Sequence, residues 1–237
     1  MSLVNRVRLR IDRAIASALS RDAVTGLKFS PGSLKLAKFG SDYGGWLAPV
    51  DRIKKDSICY CVGVGEDISF DLALVEKFGC DVYAFDPTPR AIKHVERVAG
   101  DNRAYHFFPI GLWDREEVLK FYSPANPDHV SHSAVNLQKT ESYFEAPCKR
   151  LSAVMKENGH THLDLLKLDV EGAEYKVLQS ILEDNLDIDF ICVEYDEVGV
   201  PLDSGYKDRI RASIESLLAA GYSLVDAHVC NYAFARL

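Results

Sequence analysis

The sequence predicts an α/β fold in three layers, with a mostly parallel sheet between helices and an antiparallel hairpin at the C-terminus. Three observations carry this. From Asp56 onward, β-branched or aromatic runs alternate with helix-period segments, the pattern of a parallel sheet with crossover helices. The closing stretch "YSLVDAHVCNYAFARL" holds two strand-like runs with no room for a crossover, so they pair antiparallel. The 237 residues, 47% hydrophobic and 27% charged, suit one soluble α/β domain with an N-terminal extension.

Taken in order, Val4, Val7, Ile11, Ile15, Ala18 and Leu19 share one helical face near the N-terminus, beside Arg6, Arg8, Arg10 and Arg13. That helix packs on the domain or on a partner subunit, as in a homodimer; a membrane surface or nucleic acid is the other use of its arginines. Residues 1–55 are expected to be this extension plus a lead-in strand, and 56–237 the α/β domain. "SICYCV" reads as a buried strand, followed by the helical stripe Ile68, Leu72, Val75 and Phe78. "DVYAFD" is the second strand, and the prolines of "DPTPR" open a helix with Ile92, Val95, Val98 and Ala99 inward. "RAYHFFPIGLWD" supplies a third strand and "EVLKFYS" a further one. "HLDLLKLDV" is the fourth parallel strand, backed by Ala173, Val177, Leu178, Ile181 and Leu182. "DFICVEYD" is the fifth, and Ile210, Ile214, Leu217 and Leu218 line the last helix.

Composition excludes several classes of function. A net charge of −7 counts against a protein whose task is to neutralise nucleic-acid phosphates, so no nucleic-acid partner is expected. Cys59, Cys61, Cys80, Cys148, Cys192 and Cys230 form no CxxC or zinc spacing and read as reduced core thiols of a cytoplasmic protein. No apolar run reaches the length of a membrane span, and the N-terminus lacks a signal-peptide pattern.

In open sheets of this kind ligands bind beyond the carboxyl ends of the strands. After the first strand stand Gly63 and Gly65, which let backbone approach a ligand, then Glu66 and Asp67, which cap a helix dipole, face the ligand, or do both. Two carboxylates there would repel a pyrophosphate. Asp86, with Pro87 and Thr88 behind it, ends the second strand where an acid commonly accepts from ribose hydroxyls; a helix N-cap is the alternative. Asp114, beside Leu112 and Trp113, suits an adenine amino group with apolar flanks, or a turn cap. Lys167, Asp169 and Glu171 alternate along the end of the fourth strand and so project to one side. They either pair among themselves or face cofactor and substrate.

"CVGVGEDISF", "VYAFDPTPR", "IGLWD" and above all "LDLLKLDVEGAEYKVL" resemble the FkbM-type methyltransferases, from about Asp56 to the C-terminus. The resemblance implies the class I methyltransferase (Rossmann-like) fold, S-adenosylmethionine as cofactor with S-adenosylhomocysteine as product, and O-methylation of a sugar or secondary-metabolite hydroxyl. It places Gly63 and Gly65 in the cofactor loop, Asp86 at the ribose, Asp114 on the adenine side, and Asp169 and Glu171 in the motif after strand four. Many members carry an acid at the position of Cys61 and a third loop glycine, both lacking here.

Methyl transfer to a hydroxyl calls for a base within hydrogen-bond reach. "NPDHVSHSAVNLQ" offers His129 and His132, with Ser131 as a substrate contact beside Lys167 and Glu171; Asp169 is the competing base. No second ligand motif accompanies Asp169, so no metal is expected. The expected partner is a small-molecule or glycan acceptor. The same fold with a protein or other acceptor, or a non-catalytic binding protein that keeps the fold, are the alternatives.

Overall fold

The computed structural model describes residues 23–126 and 128–237. The amphipathic stripe from Val4 to Leu19, and the subunit contact expected of it, lie outside the described residues. The chain runs through β1 (Leu36–Phe39), β2 (Trp46–Pro49), β3 (Ile58–Val62), α1 (Ser69–Phe78), β4 (Asp81–Phe85), α2 (Pro89–Ala99), β5 (Tyr105–Phe108) and β6 (Gly111–Leu112). It continues with β7 (Glu117–Tyr122), β8 (Tyr143–Lys149), α3 (Leu151–Glu157), β9 (His162–Leu168), α4 (Glu174–Glu183) and β10 (Asp187–Glu194). A 3₁₀ turn (Asp196–Val198), α5 (Tyr206–Ala219), β11 (Ser223–His228) and β12 (Asn231–Ala235) complete it.

The seven-stranded sheet has the order β11-β12-β10-β9-β3-β4-β5. Strands β5, β4, β3, β9 and β10 are parallel, and β12 is antiparallel to both β10 and β11. This is the class I methyltransferase arrangement, hairpin included. The strand order reverses between β3 and β9, and the carboxyl ends of these strands open the crevice at that switch point.

Side-chain alternation along β3 divides the interior into two cores. Tyr60 and Val62 join Leu151 and Val154 of α3, Val177 and Ile181 of α4, and Ile210 and Ile214 of α5. Cys59 and Cys61 join Phe70 and Leu74 of α1, Val95 of α2, and Trp46 and Ala48 of the β1–β2 hairpin. The lead-in strand is thus half of a hairpin that closes one face of the sheet. Cys59, Cys61, Cys80, Cys148 and Cys192 are buried, and none of the six thiols is in a disulfide. Among the described residues no helix is long and apolar enough to cross a membrane.

Several local expectations shift. Val98 is 47% exposed, because α2 turns Ala91, Val95 and Ala99 inward instead. In α1 the deepest positions are Phe70 and Leu74, and the helix rotates to bury Asp71, which accepts a hydrogen bond from the Tyr105 hydroxyl at 2.9 Å. The run "RAYHFFPIGLWD" splits around Pro109, which has no N–H for a ladder: β5 stays in the main sheet, whereas β6 joins a second sheet ordered β6-β8-β7. Strand β8 was hidden by Pro147, which survives in its centre because β6 pairs only Cys148 and Lys149.

Glu197, 0% exposed in the 3₁₀ turn, receives Arg209 on both oxygens, at 2.8 Å from Nε and 2.5 Å from Nη2. Burial alone would raise its pKa, but the Arg209 hydrogen bonds reverse this and hold it below the usual glutamate value. The pair ties α5 to the segment after β10. Arg209→Ala is expected to cost about 2 kcal/mol in urea unfolding, less than a pair buried on both sides, because the arginine side chain is 36% exposed. With a depressed folded-state pKa, this contribution is present above about pH 4.3 and is lost as pH falls further, so the wild-type advantage over Arg209→Ala should shrink in acid.

Candidate active site

Beyond the carboxyl ends of β3, β4, β9 and β10 lies a cavity of about 400 Å³, within the range of small-molecule sites. Its floor is where the β3 and β9 ends touch. The Gly63 N–H donates to the Phe85 carbonyl at 2.8 Å and the Asp169 N–H to the Val62 carbonyl at 3.1 Å. Gly63 has φ +74, and a Cβ there would lie 1.6 Å from the Asp169 carbonyl oxygen, so only glycine permits this approach. Gly65, at φ +54, turns the loop back, and its N–H donates to Asp86 Oδ2 at 2.9 Å.

Asp86, 5% exposed, lines the cavity and also braces it: its other oxygen accepts from the Thr88 N–H at 2.8 Å and the Thr88 hydroxyl at 2.6 Å. Thr88 caps α2 and, with Pro87, completes this wall. Glu66 and Asp67 are both engaged by protein. Glu66 pairs with Arg90, which also donates to the carbonyls of Asp128 and His129 and so fastens the β7–β8 loop across the cavity mouth. Asp67 accepts from the Ser41 hydroxyl at 2.5 Å and the Ser69 N–H at 3.0 Å, holding the β1–β2 hairpin against the loop. Burial works against the Asp67 charge, yet these hydrogen bonds lower its pKa.

Gly111 and Leu112 line the cavity, whereas Trp113 and Asp114 are not among its lining residues. Trp113 packs with Phe121, Ala146 and Cys148, and Asp114 pairs with Lys176 at 3.1 Å. The cause is the second sheet: the Trp113 N–H continues the β6–β8 pairing by donating to the Lys149 carbonyl, which carries the chain away from the site. Of the three residues expected on the adenine side, Leu112 alone lines the cavity, and Trp113 and Asp114 lie outside its lining.

At the other end, Lys167 Nζ donates to the Gly63 carbonyl and sits 3.0 Å from Asp169 Oδ2. Burial pushes this ammonium toward neutrality, but Asp169 and Asp71 more than offset it and its pKa is raised. It bridges the two strand ends, the paired alternative, while still lining the cavity. Glu171 joins Asp169 here, with Glu194 at the end of β10 and Asp196 just beyond; all line the cavity. Burial, then the Asp169 charge, push Glu171 up to about 7 and Glu194 up to about 8. Asp196 is driven well above the carboxylate range by burial, then by Glu171 and Glu194. One oxygen from each of Asp169, Glu171 and Asp196 lies within 4.8 Å of the others, the spacing of a set able to hold a metal ion.

The β7–β8 loop forms the roof. Ser133 Oγ donates to the Glu171 carbonyl at 2.6 Å, fixing the loop over the strand-four motif. Ser131 hydrogen-bonds the Glu171 side chain. His132 lines the cavity with Nδ1 2.8 Å from the Val130 carbonyl. A carbonyl only accepts, so Nδ1 carries a proton, and Nε2 is the ring nitrogen left to face the cavity. His129 is exposed at the rim. The sequence reading missed Glu194 and Asp196, although "CVEYD" sets acids at alternate positions of a strand end as "KLDVE" does. It also missed Tyr43 and Trp46, which the hairpin brings to the same end.

Residues 58–224 match the Methyltransferase FkbM domain. The chain is 32% identical over 130 residues to the probable methyltransferase-like protein 24 of Homo sapiens and of Rattus norvegicus, an alignment covering 54% of this chain and 29% of theirs. It thus spans under a third of the length of these curated relatives. Among solved structures, it is similar to the fibrillarin pre-rRNA processing protein of Methanococcus jannaschii, with TM-score 0.45, 14% identity, and coverage of 89% of this chain and 85% of that one. A human methyltransferase 10 domain containing protein also has TM-score 0.45 and 14% identity, covering 100% and 98%. Aeropyrum pernix fibrillarin, solved with natively bound S-adenosyl-L-methionine, has TM-score 0.41 and 11% identity over 90% and 85%.

Two glycine substitutions separate close approach from backbone strain. Gly65→Ala meets only Val130 at 3.5 Å and is expected to cost about 1–2 kcal/mol for its left-handed backbone. Gly63→Ala carries the same strain and must also displace the Asp169 carbonyl, so its thermal midpoint should fall clearly below that of Gly65→Ala.

Proposed function

The chain belongs to the FkbM methyltransferase family, and on that premise we propose that it is an S-adenosylmethionine-dependent O-methyltransferase acting on a hydroxyl of a sugar or secondary metabolite. The observation that carries this reading is the charge of the cavity wall. Among the described lining residues, Glu66, Asp67, Asp86, Asp169, Glu171, Glu194 and Asp196 face a single Lys or Arg, Lys167. A pyrophosphate-bearing dinucleotide would be repelled there, whereas a ligand with sulfonium and ammonium charges is favoured.

The residues fit that cofactor. Gly63 and Gly65 would let it approach the backbone, Asp86 retains lone pairs for ribose hydroxyls, and Val64, Phe85, Pro87 and Leu112 supply apolar contact. When bound, it supplies an electrophilic methyl group and leaves as S-adenosylhomocysteine. The protein's own part is to orient the acceptor and take its proton. Glu171, with its pKa near neutrality, is the base we assign; burial and the charge of Asp169, itself tied to Lys167, raise that pKa, and His132 Nε2 is the competing base. Exposed His129 is a rim contact. The free thiols support a reducing, cytoplasmic setting.

S-adenosylmethionine and S-adenosylhomocysteine should each raise the thermal midpoint, with stabilisation of about 2.7 kcal/mol at a hundredfold excess over Kd, while NAD should not. Absence of a shift with both sulfur nucleosides would sink this reading. Once an acceptor is found by screening hydroxylated sugars and natural products for methyl uptake, turnover should rise with pH and level off above an apparent pKa of about 7 as Glu171 ionises. Glu171→Gln should lower kcat by about 10²–10⁴ and remove that dependence, whereas a profile unchanged in Glu171→Gln but lost in His132→Ala would transfer the role to the histidine.

A further inference from the structure

The acids of the cavity differ in how their charge is met. Glu66 is held by Arg90, Asp67 by Ser41 and Ser69, Asp86 by Gly65 and Thr88, and Asp169 by Lys167. Among the described residues, Glu171 meets the Ser131 hydroxyl and Asp196, and Glu194 the Cys230 thiol at 3.0 Å. Asp196 Oδ2 is closed to solvent and has no hydrogen-bond partner among the described residues, although its residue forms part of the cavity wall. Nearby, Glu174 is 0% exposed, burial raises its pKa to about 8, and its charge is felt at Asp196. Buried carboxylates of like charge at this spacing need either protons or a cation between them.

We propose that Asp169, Glu171 and Asp196 form a binding site for a hard divalent cation of the Mg²⁺ or Ca²⁺ class at the acceptor end of the cavity. The donors are all carboxylate oxygens, which suits hard cations and not zinc or copper. Their mutual spacing of 4.8 Å or less is compatible with a single ion held by all three. The ion would satisfy Asp196 Oδ2 and offset charge that Lys167 leaves unmet. A second acidic group, His162, Asp187 and Asp189, stands at the opposite end of the sheet, but there Arg236 already pairs with Asp187 at 3.0 Å and Asp187 is exposed. Binding itself is independent of the methyl-transfer reading. Its catalytic use rests on that reading: the ion would draw an acceptor hydroxyl to the cavity and lower its pKa, leaving the nearby carboxylates to take the proton.

The test uses the full chain without cofactor or acceptor, so that failure of the methyltransferase reading does not touch it. Mn²⁺ titration followed by electron paramagnetic resonance should show one bound ion per chain with Kd below about 1 mM, within the span of carboxylate sites. Asp196→Asn and Glu171→Gln, which keep shape and volume, should each weaken it by about tenfold or more, while His162→Ala should leave it unchanged. Mg²⁺ should raise the thermal midpoint of the wild type more than that of Asp196→Asn. No bound Mn²⁺ at about 1 mM, or equal binding by wild type and both carboxamide variants, would overturn the proposal and leave shared protons as the means of neutralising the cluster.

Discussion

The organisation of the site depends on a buried ammonium between two strand ends. Lys167 Nζ bonds the Gly63 carbonyl and the Asp169 carboxylate from a position only 5% exposed, and this holds the first loop against the strand-four motif so closely that Gly63 has no room for a side chain. Burial opposes the charge of such a lysine. Asp169 and Asp71 keep it charged, so the strut and the acidity around it sustain one another. A neutral residue at 167 would release the loop and leave Asp169 and its neighbouring acids without the ammonium between the strand ends.

From that strut the cavity divides by chemistry. On the β3 and β4 side, glycine backbone, Asp86 and apolar residues form a surface that binds through shape and a few hydrogen bonds. On the β9 and β10 side, carboxylates crowd together and their pKa values climb toward neutrality, which is the condition for moving a proton or binding a cation near pH 7. Arg90 and Ser133 pin the β7–β8 loop across both halves. Each fastening is modest, and the Arg90–Glu66 pair is well exposed, so the roof is held by several weak contacts instead of one strong one.

Where reading and structure part, the reason is contact between distant segments. Leu112, Trp113 and Asp114 form one local pattern, yet β6 leaves the main sheet to pair with β8, and only Leu112 stays at the cleft. Val98 fits the helical stripe by spacing but faces solvent, since α2 is rotated to seat Ala91 and Val95. The β1–β2 hairpin, with Tyr43 and Trp46, has no signature distinguishing it from a lead-in, because its packing partner is the sheet itself.

The sequence by itself determined the order of the main-sheet strands, the antiparallel end of the sheet, the family, and the acids after β3, β4 and β9. These follow from periodicity and from short motifs whose residues are neighbours along the chain. Only the tertiary structure decided which acids share charge. Asp196 reaches Asp169 and Glu171 because β10 lies beside β9, and carboxylate pKa and cation affinity depend on distances across strands that no local pattern encodes.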